Sequence, residues 1–249
     1  MAWIQSNTLV VGFGDSFVRA YDVSGRGEKL WEIPNAHKGP ISSLQVHTDS
    51  RLAYLLTGGD DGGVRVWALK NRELMIQFVE HTKRVSQVLV DVKKPNLVHS
   101  ISMDCSFLTY DLIKEKRTVS HMIREGSFLT ATQRLDSEQE IVTCDGQGRL
   151  LFWDCDYPEP VQMLQDPARS STNCVSVSPS GRYIASCGDD HLVKIFDLVE
   201  RGELITLGHG HSEYVQSLHW STDEKQIVSV GKDSCICVWN FYGNGGTED

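Results

Sequence analysis

Residues 186–198, SCGDDHLVKIFDL, place two carboxylates and an imidazole at the consecutive positions Asp189, Asp190 and His191. These groups bind divalent metals and act as general acids and bases. An Asp side chain also holds tight turns together, because it accepts hydrogen bonds from nearby backbone N–H groups. Whether these residues form a catalytic or metal site or only hold a turn depends on how the same residue types recur along the chain.

The chain contains an internal repeat with an aromatic residue every 43 positions. The aromatic residues are Trp67, Tyr110, Trp153, Phe196 and Trp239, after an earlier copy with Tyr21. Six positions before each aromatic stand, from the first copy to the last, Asp15, Asp61, Asp104, Gln147, Asp190 and Asp233. Ten positions before each of the last five aromatic residues stands a Thr or Ser, namely Thr57, Ser100, Thr143, Ser186 and Ser229. Catalytic residues do not usually repeat around a fold, so we interpret Asp190 as a turn carboxylate.

Each copy predicts four short strands separated by Asp, Ser, Gly and Asn turns. The second copy has them at ISSLQVH, LAYLLTGG, GVRVWAL and ELMIQFV, whereas the last copy ends after CICVWNF without a fourth strand. Four antiparallel strands every 40 to 45 residues resemble the blade of a WD40 β-propeller. We therefore predict an all-β WD40 propeller of six blade units over residues 1–243, belonging to a seven-bladed ring of a longer protein, and a disordered tail over 244–249.

The resemblance to WD40 blades implies a hydrogen-bonded chain of His, Ser or Thr, Asp and Trp in each unit. A buried carboxylate needs such donors to fill its lone pairs. Two copies have the full set, with His37, Thr57, Asp61 and Trp67 in the second and His211, Ser229, Asp233 and Trp239 in the last. The third copy has His81, Ser100, Asp104 and Tyr110, and the fifth has Ser186, Asp190 and Phe196 without a suitably placed His. The fourth has Gln147 at the Asp position, so we expect blades four and five to open more easily.

Composition and charge exclude several classes of protein. A net charge of −9 disfavours general nucleic-acid binding, which depends on Lys and Arg. No apolar run is long enough for a membrane helix, and the N-terminus lacks the features of a secretory signal. The seven cysteines include no C-x-x-C pair and fit a reducing, intracellular compartment.

Two other motifs suggest chemistry but lack the residues that would complete a site. FGDSF resembles the block of a serine hydrolase family, yet Ser16 precedes a strand and no helix follows. His209, His211, Cys235 and Cys237 could suggest zinc, but His211 belongs to the turn chain and the two cysteines lie on a packed strand. We predict no catalytic residue, no cofactor, no metal and no small-molecule substrate.

The loops at one edge of the blades carry opposite charges. The third copy has Lys93, Lys94, Lys114, Lys116 and Arg117 there, and the fourth has Asp136, Glu138, Glu140, Asp156 and Glu159. Charged loops are often simply solvated. The alternative hypothesis is that this edge steers a protein partner into place, with Asp189 and His191 on the opposite turn as further candidate contacts.

Over essentially its whole length the chain resembles the C-terminal propeller of the cilia- and flagella-associated protein 52 family. The segments that carry the resemblance are NAHKGPISSLQV, GGVRVW, DDHLVKIFDL, GHGHSEYV and QIVSVGKD. The resemblance implies a non-catalytic scaffold in the cytoskeleton of motile cilia and flagella, inside the doublet microtubule, with tubulin and other axonemal proteins as partners. A cytosolic WD40 adaptor that recognises peptides or assembles a signalling complex remains the alternative.

Overall fold

A computed structural model of the chain describes residues 1–4, 7–49, 53–123, 126–133, 140–154, 157, 159–199 and 202–243. Within these ranges the regular elements are β-strands, which confirms the all-β prediction. No helix among the described residues is long and apolar enough to cross a membrane. The chain divides into two compact units, Met1–Phe128 and Leu129–Asp249. The predicted tail at 244–249 lies outside the described residues.

The first unit contains three four-stranded antiparallel sheets, each with its strands in chain order. The first sheet is β1 (Ala2–Ile4), β2 (Thr8–Gly12), β3 (Val18–Asp22) and β4 (Glu28–Ile33). The second is β5 (Ile41–Thr48), β6 (Ala53–Gly59), β7 (Val64–Ala68) and β8 (Leu74–Phe78). The third is β9 (Val85–Val90), β10 (Leu97–Ser102), β11 (Ser106–Asp111) and β12 (Lys116–Met122).

The second unit contains two four-stranded sheets and one described sheet of three strands, again in chain order. The fourth sheet, which starts at the boundary, is β13 (Phe128–Gln133), β14 (Glu140–Asp145), β15 (Arg149–Asp154) and β16 (Gln162–Gln165). The fifth is β17 (Thr172–Val177), β18 (Tyr183–Gly188), β19 (Leu192–Asp197) and β20 (Glu203–His209). The sixth is β21 (Val215–Trp220), β22 (Gln226–Gly231) and β23 (Ile236–Asn240). Six blade-like sheets, the last without a described outer strand, match the prediction.

The core of each unit forms where neighbouring sheets pack face to face. In the first unit, Leu56 and Val66 of the second sheet pack with Val88 and Val98 of the third. In the second unit, Ala185 and Ile195 of the fifth sheet belong to one cluster with the sixth sheet. The middle strands of the second and fifth sheets are buried on both faces, because their side chains point alternately towards the sheet before and the sheet after. The turns between the second and third strands lie at one edge of each sheet, and the loops that join the first to the second and the third to the fourth strand lie at the other.

Candidate functional site

In the second sheet, the turn between β6 and β7 is held by a continuous chain of side-chain hydrogen bonds. The Trp67 indole N–H donates to Thr57 Oγ1 over 3.0 Å, and Thr57 Oγ1 lies 2.8 Å from His37 Nε2. His37 Nδ1 is 2.8 Å from Asp61 Oδ1. The indole N–H can only donate, so Thr57 Oγ1 accepts from it, and a neutral imidazole with its proton on Nδ1 completes the chain by accepting from the hydroxyl at Nε2 and donating to Asp61. Each polar group in this chain therefore has a partner.

The Asp61 carboxylate also accepts hydrogen bonds from the backbone and from Arg65. The N–H groups of Lys38 and Gly63 donate to it over 2.9 and 3.0 Å, and Arg65 Nη1 donates over 3.0 Å. Burial would raise the pKa of Asp61, but the donors of Lys38, His37 and Gly63 outweigh burial and hold that pKa well below its usual value. Burial lowers the pKa of His37, against the opposing effect of Asp61. The site holds a carboxylate and a neutral imidazole at pH 7.

The turn of the sixth sheet has the same arrangement. Trp239 Nε1 donates to Ser229 Oγ over 2.8 Å, and Ser229 Oγ lies 2.8 Å from His211 Nε2. His211 Nδ1 is 3.0 Å from Asp233 Oδ2, which also accepts from the backbone N–H of Ser212. The two sets that are complete in sequence thus form the same four-residue chain in space.

The third sheet has a variant of this chain in which a serine is inserted. His81 Nε2 is 2.6 Å from Ser100 Oγ, whereas His81 Nδ1 is 3.2 Å from Asp104 Oδ2. Ser106 Oγ lies 2.8 Å from His81 Nδ1 and also donates to Asp104. Tyr110 takes the place of the Trp, and its ring stacks on Phe78 with centroids 4.1 Å apart.

The fourth sheet has a turn carboxylate that the repeat alignment did not identify. Gln147 occupies the expected Asp position, but the buried Asp145 accepts hydrogen bonds from the N–H groups of Gln147 and Arg149 at 2.9 and 3.0 Å. The Arg149 guanidinium donates to Asp145 Oδ2 over 2.7 Å. Asp145 stands two 43-residue repeats after Gly59 of the second sheet. A Cβ added at Gly59 would lie 2.3 Å from the His37 ring.

The fifth sheet uses a lysine where the second sheet uses a histidine. Lys194 Nζ is buried and donates to both Asp190 and Asp166, and Asp190 also accepts from the backbone N–H of Leu192 over 3.2 Å. Asp166 lies in the segment before β17, which corresponds to the segment that carries His37 before β5. Sequence reasoning missed Asp166 and Lys194. The Asp-x-x-x-Lys spacing, which parallels Asp61 and Arg65, was the available signal.

The triplet at 189–191 does not form a single cluster. Asp190 binds Lys194, whereas Asp189 accepts a hydrogen bond from Asn173 Nδ2 over 2.8 Å. His191 has a φ of 67° and an exposed side chain. The equivalent turn residues of the other sheets also have positive φ, namely Ser16, Gly62, Cys105, Gly148 and Ser234. The position of His191 is therefore a backbone requirement of the turn, and no three described His, Cys, Asp or Glu side chains group as metal ligands.

The basic residues of the third sheet lie at the edge opposite its Asp turn, with Lys93, Lys94 and Lys114 in the two loops and Lys116 and Arg117 at the start of β12. Asp91 accepts from the N–H groups of Lys93 and Lys94, which fixes the β9–β10 loop. Lys114 pairs with Asp111 at 3.2 Å, and Arg117 pairs with Glu80 at 2.6 Å. Within the described ranges, no ion pair is formed by Lys93, Lys94 or Lys116, which are all exposed. Of the acidic residues predicted for the neighbouring loops, Asp136, Glu138 and Asp156 lie outside the described residues.

Comparison with known proteins identifies the repeat. The family model described as "WD domain, G-beta repeat" matches residues 27–68, 158–197 and 202–240. The chain is 28% identical to pig cilia- and flagella-associated protein 52 over 95% of its own length and 37% of that protein. Identity to the human and Chlamydomonas reinhardtii proteins of the same name is 25%, again over 95% of the chain. The chain thus spans less than two-fifths of the length of these relatives.

Proposed function

We propose that this chain, which carries WD40 repeats and is homologous to cilia- and flagella-associated protein 52 over 95% of its length, is a non-catalytic structural scaffold of the ciliary and flagellar axoneme. The observation that carries the proposal is the similarity along nearly the whole chain to proteins of that name from a mammal and from an alga. We further propose that it lies in the lumen of the doublet microtubule.

The chemistry of the turns supports a structural role. Asp61, Asp145 and Asp233 each accept hydrogen bonds from two or more donors, so their carboxylate oxygens are engaged within the fold. A general base needs a free lone pair that can reach a substrate proton. The carboxylates instead hold the hairpins rigid, and rigid sheets present their loops to a partner without losing conformational entropy on binding.

We propose that the basic loops of the third sheet contact an acidic surface of tubulin or of another axonemal protein. Lys93, Lys94 and Lys114 are exposed, and the β9–β10 loop is fixed by Asp91 and by the Tyr54 hydroxyl, which donates to the Pro95 carbonyl over 2.7 Å. A rigid loop with exposed lysines attracts a negatively charged surface and loses little conformational entropy when it binds. Asp189 and His191 stay candidate contacts on the turn edge.

Localisation tests the proposed function. A tagged copy expressed at native level in a flagellated cell is expected to remain in axonemes after detergent extraction and to be released only when the doublets are disassembled. A diffuse cytosolic signal that is fully lost on detergent extraction would instead support a cytosolic WD40 adaptor.

Charge reversal tests the contact surface separately. The triple substitution Lys93→Glu, Lys94→Glu and Lys114→Glu is expected to weaken sedimentation with purified microtubules at least about tenfold and to reduce its salt dependence. The matched control reverses Lys38, Lys83 and Lys232, which are exposed lysines at the Asp-turn edge. The two variants have the same net charge. Equal losses in both would reject a specific role for the basic loops.

A further inference from the structure

Two cysteines stand directly opposite each other on neighbouring strands of the fifth sheet. Cys174 of β17 pairs with Cys187 of β18 in the antiparallel register. Residues that pair in this way have Cα atoms about 4.5–5.5 Å apart and side chains on the same face of the sheet. A disulfide bond needs Cα atoms roughly 4.4–6.8 Å apart. The backbone therefore holds the two thiols within the range that a disulfide spans.

Both thiols are buried against the sixth sheet. Cys187 Sγ lies 3.8 Å from the carbonyl oxygen of Val215, and Cys174 Sγ lies 3.7 Å from that of Leu218. The four residues belong to one apolar cluster, in which Cys174 is 9% exposed and Cys187 is 2% exposed. The pair is thus closed to large reagents, and only a small oxidant can enter it without unfolding the sheet.

The two thiols also differ in how readily they ionise. The Cys187 thiol donates to the Cys174 sulfur, and this hydrogen bond lowers the pKa of Cys174 against the effect of burial. The same hydrogen bond, together with burial, raises the pKa of Cys187. Because the thiolate is the nucleophile in thiol chemistry, Cys174 is the sulfur that reacts first.

The corresponding pairs of other sheets contain no cysteine. In each of these sheets the pair directly follows the bulge of the inner strand. The pairs are Ser43 with Gly58 in the second sheet, Gln87 with Ile101 in the third, and Ser217 with Val230 in the sixth. Serine and valine satisfy the packing of this position elsewhere in the chain, so packing alone does not require two thiols.

We propose that Cys174 and Cys187 form a reversible disulfide bond when the protein meets a peroxide, and that this bond fastens β17 to β18. The Cys174 thiolate attacks one oxygen of hydrogen peroxide and breaks the O–O bond, and the other oxygen leaves as hydroxide, which takes up a proton to form water. Cys187 then attacks the sulfur of the resulting sulfenic acid, forms the S–S bond and releases a second water.

This reaction is balanced and can be reversed. Two electrons pass from the two sulfurs to the peroxide, and both thiol protons end in water. A dithiol reductant restores the two thiols by thiol–disulfide exchange and is itself oxidised to a disulfide. Transient disulfides of this kind form in reducing compartments as redox sensors. The proposal goes beyond the axonemal role and does not depend on it.

Peptide mapping tests the bond, because trypsin separates the two cysteines. Cleavage after Arg169, Arg182 and Lys194 leaves Cys174 in peptide 170–182 and Cys187 in peptide 183–194, with no other cysteine in either. The folded chain is treated with hydrogen peroxide, its free thiols are blocked with N-ethylmaleimide in denaturant, and the digest is analysed by mass spectrometry without reduction. The two peptides are expected as one linked species that dithiothreitol separates.

The peroxide concentration is set by a control thiol in the same unit. Cys144 is buried, and burial raises its pKa, so it should react more slowly than Cys174. The linked peptides are expected at a concentration that leaves Cys144 unmodified. Free thiols at both positions under these conditions, a bond from Cys174 to Cys144, or a bond between two chains would each overturn the proposal.

The sixth sheet supplies the matched variants, since it has Ser217 and Val230 at this pair. Cys187→Val keeps the first nucleophile, so peroxide should leave a sulfenic acid at Cys174 that dimedone labels. Cys174→Ser should show at least about tenfold less labelling at Cys187. Circular dichroism spectra that match the unmodified chain show that both variants are folded. Equal labelling of the two variants would overturn the assignment of Cys174 as the sulfur that reacts first.

Hydrogen exchange tests whether the bond fastens the two strands. Oxidation of the unmodified chain is expected to slow exchange of the β17 and β18 amides at least about tenfold, because a cross-link restricts the opening of the hairpin. The same treatment should leave exchange unchanged in Cys174→Ser and Cys187→Val. Unchanged exchange in a chain whose peptides are linked would overturn the proposed effect of the bond.

Discussion

The second and fifth sheets close the same hairpin turn with different electrostatics. In the second sheet, a neutral imidazole of His37 links Asp61 to Thr57 through hydrogen bonds of 2.8 Å. In the fifth sheet, the ammonium of Lys194 is buried between the carboxylates of Asp166 and Asp190. The turn thus requires donors for its carboxylate, and the donor need not be a histidine.

The two turns respond differently to the loss of the side chain that donates to their carboxylates. When the His37 ring is removed, Asp61 keeps donors from Lys38, Gly63 and Arg65. When the Lys194 charge is removed, two carboxylates remain close together with less compensation in a low-dielectric interior. An unpaired buried charge is more costly than a lost neutral hydrogen bond. We therefore expect the fifth sheet to be more sensitive to loss of its donor.

The largest expected effect comes from Lys194→Met. Removing the ammonium should lower the free energy of opening of the fifth sheet by about 3–5 kcal/mol, because Asp166 and Asp190 lose their shared counter-charge. Hydrogen exchange of the β18 and β19 amides measures this quantity. Lys194→Arg, which keeps the charge, should cost less. Unchanged protection in Lys194→Met would show that the buried pairs contribute nothing to the turn.

A smaller effect is expected at Gly59. An added Cβ would lie 2.3 Å from His37 Nδ1, so Gly59→Ala should destabilise the second sheet by about 1–3 kcal/mol through overpacking. In a His37→Ala background the same substitution should cost clearly less, because the ring is gone. Gly25→Ala is the matched control, since nothing lies within 4 Å of its Cβ position. Equal costs in both backgrounds would contradict a coupling between His37 and Gly59.

The pH dependence of the two sheets should also differ. Because burial lowers the pKa of His37, the unfolded chain binds more protons than the folded chain below about pH 6.5, so stability falls as the pH falls. The limiting slope is about 1.4 kcal/mol per pH unit for one histidine. Asp61 stays ionised through this window, because its pKa is held low. Opening of β6 and β7, measured by hydrogen exchange after correction for intrinsic rates, should increase between pH 7 and pH 5.

In the fifth sheet, whose turn contains no buried histidine, opening of β18 and β19 should change less over the same interval. A His37→Gln variant should flatten the response of the second sheet. Equal slopes of the opening free energy against pH in the two sheets, or an unchanged slope in His37→Gln, would show that His37 does not cause the pH dependence.

The smallest expected effect concerns His191. A φ of 67° is unfavourable for a residue with a Cβ, so His191→Gly should raise stability by about 0.5 kcal/mol after the entropy cost of glycine is counted. Thermal unfolding measures the change, and His191→Ala should be nearly neutral because it keeps the Cβ. A marked loss of stability in His191→Gly would show that the imidazole makes a contact that holds the turn.

The repeat pattern predicts the strands and some of the turn residues but not all of them. The 43-residue repeat and the alternation within strands predicted the six sheets, because strand period and turn residues are local properties. The four-residue sets of the second and sixth sheets could be named from the resemblance to WD40 blades. Asp145 could not, because it lies two positions before the expected Asp, and only the structure shows that its side chain accepts the backbone N–H groups of the turn.

By itself, the sequence determined the strands and the turn positions, since both follow from a periodic pattern along the chain. Only the tertiary structure decided that Lys194 lies between Asp166 and Asp190, which are 24 positions apart in sequence. It also decided that Val230 and Val238 are exposed although Cys187 and Ile195, at the same positions of the repeat, are buried. The physical reason is that burial and charge pairing depend on which sheet lies opposite a residue, and that neighbour is not encoded in local spacing.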